Sequence, residues 1–207
     1  MPDLLLLTVL AFTAFLVGSL PTGVLVGRVA GADPRRAGSG NIGATNVTRT
    51  LGKKWGVVTL VVDVLKGLLP VVLVRLFASE IGETGAALAG FAAILGHCFT
   101  PFLRFKGGKG VATAFGVMLA MSWPIALFSA VLWVMVAVIS RVPAIGSLTA
   151  AVAFVALAHV SPQPVALRLL TIAIALLVWI RHVSNLRAIK TRVRVRRPRV
   201  KSKRRRY

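Results

Sequence analysis

The chain is predicted to be an all-α polytopic membrane protein of seven transmembrane helices, with the N-terminus outside and the C-terminus cytoplasmic. Three observations carry this. Of its 207 residues, 57% are hydrophobic and only 15% charged, with a mean hydropathy of +0.83, whereas a soluble domain carries about a quarter charged residues. The apolar residues fall in runs long enough to cross or enter a bilayer. The charge, +21 overall, is local: 13 of the 26 Lys and Arg follow Ile180. A basic block with no aromatic residues interleaved suits anionic lipid headgroups, and no nucleic-acid partner is expected.

The apolar runs cover about 4–27, 56–78, 85–99, 111–123, 124–139, 145–160 and 164–181. The first lacks a basic leader and a small-residue cleavage site, so it is expected to be a retained span. The 30 residues from Val111 to Ser140 exceed the roughly 20 that a single span needs, and charge decides how they divide. With seven spans, the 28–54 loop, the 100–110 loop, the Arg141 turn and the tail share one side and carry 23 of the 26 basic residues. Merging the fourth and fifth spans sends the basic tail outward, against the positive-inside rule. Trp123-Pro124 is therefore read as an outer turn, with Trp at the interface and Pro opening the next helix. Residues 1–190 form the expected membrane domain. Residues 191–207 form a basic cytoplasmic tail, expected to be disordered.

Two polar stretches stand out between the apolar runs. Gly38-Ser39-Gly40-Asn41-Ile42-Gly43-Ala44-Thr45-Asn46-Val47-Thr48-Arg49 combines glycines, neutral hydrogen-bonding groups and a fixed cation, which suits a phosphate. Phe105-Lys106-Gly107-Gly108-Lys109-Gly110 again pairs flexible backbone with cations. His97 stands just before it, and an imidazole with two ammonium groups around a Gly-Gly backbone can hold a phosphate or polarise a carbonyl. It is not a P-loop, because Leu103 and Gly110 occupy the required Gly and Ser/Thr positions around Lys109. Asp63 and Lys66, one helical turn apart inside the second span, read as an ion pair that fixes helix packing. His182 and Asn185 share a face at the end of the last span, and Ser147 is the first hydroxyl after the Arg141 turn. Cys98 is the single cysteine and the three histidines are scattered, so neither a disulfide nor a metal site is expected.

Taken together, the two glycine-rich stretches, the His97 segment, His182 with Asn185, and Asp63-Val64-Leu65-Lys66-Gly67 resemble the bacterial acyl-phosphate glycerol-3-phosphate acyltransferase family, PlsY. The resemblance covers nearly the whole chain up to Asn185. Around Arg141 the chain departs from the family's aromatic-then-serine pattern and reads Val142-Pro143-Ala144.

The resemblance implies transfer of a fatty acyl group from acyl phosphate to the 1-hydroxyl of glycerol 3-phosphate, giving lysophosphatidic acid and phosphate at the cytoplasmic side of the cell membrane, with no cofactor. Both substrates carry phosphate, so cations must offset their repulsion. Ser39, Arg49, His97 and Lys109 are the implied catalytic residues. Gly40, Asn41, Thr45, Asn46, Lys106, Gly107, Gly108, Ser147, His182 and Asn185 are the implied substrate contacts. The Gly107-Gly108 amides are expected to coordinate phosphate oxygens. Ser39 is read as a ligand rather than a nucleophile. Either His97 or the donor's own phosphate takes the hydroxyl proton; the residues alone do not choose. Membrane lipids are implied partners, and a soluble acyl-phosphate-forming acyltransferase is a further one. Two other functions compete: an anion transporter, and a lipid-binding protein held by its tail.

Overall fold

The computed structural model describes residues 4–196, with side chains described through Val183. Among the described residues nine α-helices follow in order: α1 (Leu4–Gly18), α2 (Thr22–Val29), α3 (Ala44–Leu51), α4 (Lys53–Phe77), α5 (Gly82–Cys98), α6 (Val111–Met121), α7 (Trp123–Ser140), α8 (Pro143–Val160) and α9 (Val165–Arg196). Among the described residues, six helical stretches are long and apolar enough to cross a membrane, α1 and α2 together forming the first. The seventh apolar helix, α6, has only 11 residues, about 16 Å against a hydrocarbon core of about 30 Å. Val111 to Ser140 is split, as charge required: Ser122 is extended, and Trp123 and Pro124 open α7.

Two expectations need correction. The first run is not one helix. It breaks at Ser19-Leu20-Pro21, where Pro has no amide to continue the ladder, and the Ser19 hydroxyl caps the Phe15 carbonyl at 2.7 Å. The last helix does not end near Arg181 but runs on to Arg196, because nothing between Val165 and Arg196 breaks a helix and the next proline is Pro198. Residues 191–196, expected to be disordered, are therefore helical; 197–207 lie outside the described residues.

Alternating helix direction gathers the α2–α4 connection, the α5–α6 loop and the far part of α9 at one end. Helix α5 is central and packs on α1, α4, α6 and α9. Small residues allow the close approach, as is usual where lipid supplies no hydrophobic drive between helices. A Cβ on Gly18 would lie 2.0 Å from the Ala93 carbonyl oxygen, and one on Gly116 2.0 Å from that of Val64. At the opposite end Arg75 pairs with Glu83 at 2.6 Å and donates to the Ala120 carbonyl, tying the end of α6 to α4 and α5.

Candidate active site

The first glycine-rich stretch folds around Asn46. This residue is 3% exposed. Its Oδ1 accepts from the Ser39 amide at 2.8 Å, and its Nδ2 donates to the carbonyls of Pro34 (2.8 Å), Asn41 (2.9 Å) and Ala37 (3.2 Å). Both polar atoms of the side chain thus bond backbone, so Asn46 shapes the loop. Gly38 and Gly40 have φ of +62° and +70°, and a Cβ on Gly38 would meet Asn46 Oδ1 at 2.3 Å. The result presents Ser39, Gly40 and Asn41 on one rim.

The second stretch turns at Arg104 and Phe105, both in the left-handed region at φ +51° and +61°. The Phe105 amide donates to the Thr100 carbonyl at 2.9 Å. Gly107 and Gly108 then donate their amides to the carbonyls of Cys98 (3.1 Å) and His97 (3.0 Å). Those amides are consumed inside the loop and do not face a substrate, contrary to expectation. Their carbonyls are met by Arg181, whose Nη2 donates to Gly107 and Gly108 at 2.9 Å each and whose Nε donates to Gly108 at 3.1 Å. The Arg181 guanidinium also lies over the Phe99 ring, 5.2 Å from its centroid. Nothing in the sequence reading singled out Arg181; its place one residue before His182 is the signal that was available.

The two loops and α9 border an open cavity of about 370 Å³ lined by Arg35, Ser39, Gly40, Asn41, Ile42, Phe105, Lys106, Gly107 and Arg181. Ser39, Gly40, Asn41, Lys106 and Gly107 thus meet as the sequence suggested, joined by two unforeseen cations. Arg35 is braced by Asp33 in a bidentate pair, with contacts of 2.7 to 3.1 Å. The Arg35 side-chain hydrogen bonds hold the Asp33 carboxyl down at about 2 and raise the guanidinium's own pKa.

Other expected site residues lie elsewhere. Arg49 and Thr45 are exposed on α3 and do not line the cavity. Lys109 sits just beyond the glycines; burial, and then the charge of Arg181, lower its ammonium to about 8. His97 is 4% exposed. Its Nε2 lies against Gly108, where a Cβ would approach to 2.1 Å, and its Nδ1 is 3.7 Å from Asp63 Oδ1. It supports the glycine turn from beneath and does not line the cavity. Gly108, likewise, is a packing position. Ser147 is committed between helices: it accepts from Trp133 Nε1 at 3.1 Å and donates to the Pro143 carbonyl at 3.0 Å, so it ties α7 to α8. His182 is buried, with its Nδ1–H directed to the Val178 carbonyl at 2.8 Å; in the neutral ring Nε2 is left as an acceptor. The Asn185 side chain lies outside the described residues.

Below the site, Lys66 pairs with Asp63 at 2.8 Å, both side chains 3% exposed. Lys66 Nζ also donates to the Leu20 carbonyl at 2.9 Å, the group set free by the break between α1 and α2. The expected structural ion pair is thus present, and it fixes that break.

Comparison with known proteins shows the family of a chain built in this way. The glycerol-3-phosphate acyltransferase family model matches residues 8–192. The chain belongs to the glycerol-3-phosphate acyltransferase family. A Gluconobacter oxydans protein named glycerol-3-phosphate acyltransferase is 42% identical over 199 residues, covering 94% of this chain and 93% of its own. An Aquifex aeolicus protein of that name is 40% identical, with coverages of 88% and 94%. The chain also superposes on PlsY (YgiH), an integral membrane glycerol 3-phosphate acyltransferase solved in its glycerol 3-phosphate form. The TM-score is 0.84 at 39% identity, covering 89% of this chain and 92% of that one. A second structure of that protein, in its lysophosphatidic acid form, gives 0.82.

Proposed function

We propose that this member of the family transfers an acyl group from acyl phosphate to the 1-hydroxyl of glycerol 3-phosphate, releasing lysophosphatidic acid and phosphate. The observation that carries the reading is the cavity in which both glycine-rich loops meet Arg35, Lys106 and Arg181. Glycerol 3-phosphate is a small dianion, and guanidinium groups bind phosphate through paired N–H donors. Ser39 and Asn41 offer neutral hydrogen bonds to the glycerol hydroxyls.

The hydroxyl oxygen attacks the acyl carbonyl carbon, the bond from that carbon to the phosphate oxygen breaks, and phosphate leaves. Because His97 is sealed beneath Gly108, the departing phosphate takes the hydroxyl proton. An acyl phosphate is already activated, so positioning and charge neutralisation supply most of the acceleration and no acyl-enzyme is needed. Seven spans, α6 included, leave the N-terminus outside and bring this end of the bundle to the cytoplasmic face of the cell membrane, where 23 of the 26 basic residues then lie and a soluble donor-forming enzyme has access.

The test is purified protein in lipid, given labelled glycerol 3-phosphate with either palmitoyl phosphate or palmitoyl-CoA. Labelled lysophosphatidic acid from the first donor alone is expected. Product from the thioester alone overturns the donor, and anion flux in liposomes without acyl product favours a transporter.

A further inference from the structure

We propose that Arg181 is a positioning residue that sets affinity for the anionic acceptor, by holding the Gly107-Gly108 turn through its carbonyls and offering the remaining edge of its guanidinium to the acceptor's phosphate. This rests on the reading of the cavity as the glycerol 3-phosphate site.

The Gly108 amide points into the protein, to the His97 carbonyl, so the Gly107 carbonyl, antiparallel to it across the same planar peptide, is turned the other way; it and the Gly108 carbonyl are the oxygens that Arg181 meets beside the cavity. Left bare, their partial negative charge would repel a dianion. Arg181 covers both oxygens with three hydrogen bonds, which engage only Nε and Nη2; Nη1 takes part in none of them. The guanidinium is planar and is held from the other side by the Phe99 ring. Its orientation is therefore fixed before any ligand arrives, so little rotamer entropy is lost on binding. Arg181 lines the cavity together with Lys106 and Ser39. A lysine here keeps the charge but cannot bridge two carbonyls and a phosphate at once, because its three donors sit on one rotating nitrogen.

The roles separate kinetically. Removing a group that holds the acceptor but takes no part in bond breaking raises KM for glycerol 3-phosphate and leaves kcat nearly unchanged. The experiment compares wild type with Arg181→Ala and Arg181→Lys in bilayers, titrating glycerol 3-phosphate at saturating palmitoyl phosphate. Inhibition by inorganic phosphate is measured alongside.

The expected result is at least a tenfold higher KM for Arg181→Ala, a several-fold rise for Arg181→Lys, kcat within about threefold in both, and weaker phosphate inhibition in the same order. Unchanged KM in a folded Arg181→Ala protein overturns the inference. So does a lysine variant equal to wild type, since charge without the fork would then suffice. If the alanine variant fails to fold, the lysine variant decides by its KM. Absence of turnover by wild type defeats the underlying functional reading instead.

Discussion

The protein holds two groups of charged side chains, and they behave in opposite ways. Asp63 and Lys66, with His97 against them, are sealed inside the bundle. Arg35, Lys106 and Arg181 line an open cavity at its end. In the first group each charge is matched by a fixed partner, and the nearby glycines and backbone breaks are shaped to it. The second group brings three cations together, and among the described residues Asp33 is the carboxylate that pairs with one of them, Arg35. Charges that balance within the protein hold helices together, whereas charges left in surplus around a cavity await an anion from outside.

Breaking the sealed group has the largest expected effect. Asp63→Leu leaves the Lys66 ammonium buried without its counter-charge, at a cost of about 3–5 kcal/mol, read as a large drop in unfolding temperature in lipid. Asp63→Leu with Lys66→Met removes both charges and is expected to recover most of that loss. Gly108→Ala comes next. Its methyl must displace the His97 ring, 2.1 Å away, and overpacking of this kind costs about 1–3 kcal/mol, so activity falls tenfold or more with the protein still folded. Lys109 sharpens the contrast through pH. Its ammonium, lowered to about 8, is charged below that pH and neutral above it. Activity that depends on its charge therefore falls between pH 7 and 9, and Lys109→Arg is expected to remove that fall. Ser147→Ala is the mildest: it loses a hydrogen bond between α7 and α8 worth about 1 kcal/mol, with KM for glycerol 3-phosphate unchanged.

Much of this was legible in the chain. Helix order, the split after Met121 and the convergence of the two glycine-rich stretches follow from hydropathy, charge sidedness and motif chemistry. Asp63 with Lys66 was legible from helical spacing and the cost of lone charges in a bilayer. What was not legible depends on which way a group faces after folding. Asn46, Gly107 and Gly108 have the right chemistry for phosphate, but the Asn46 side chain and the two glycine amides are spent on backbone. Ser147 faces Trp133 instead of the cavity. Arg35 and Arg181 looked like ordinary loop and helix-end cations, because nothing in one sequence tells that they meet across some 145 residues. The break at Leu20 was hidden by unbroken hydropathy, although Pro21 marks it.

The most direct test of the division between sealed and open charges is a titration of glycerol 3-phosphate against Lys106→Ala and against the Asp63→Leu, Lys66→Met pair, with unfolding temperature recorded on the same samples. Lys106→Ala is expected to raise KM about tenfold, a loss of about 1.4 kcal/mol in binding, at unchanged unfolding temperature. The paired core variant is expected to shift unfolding temperature while keeping KM within about twofold. The opposite pattern, with KM set by Asp63 and Lys66 and indifferent to Lys106, would contradict the account.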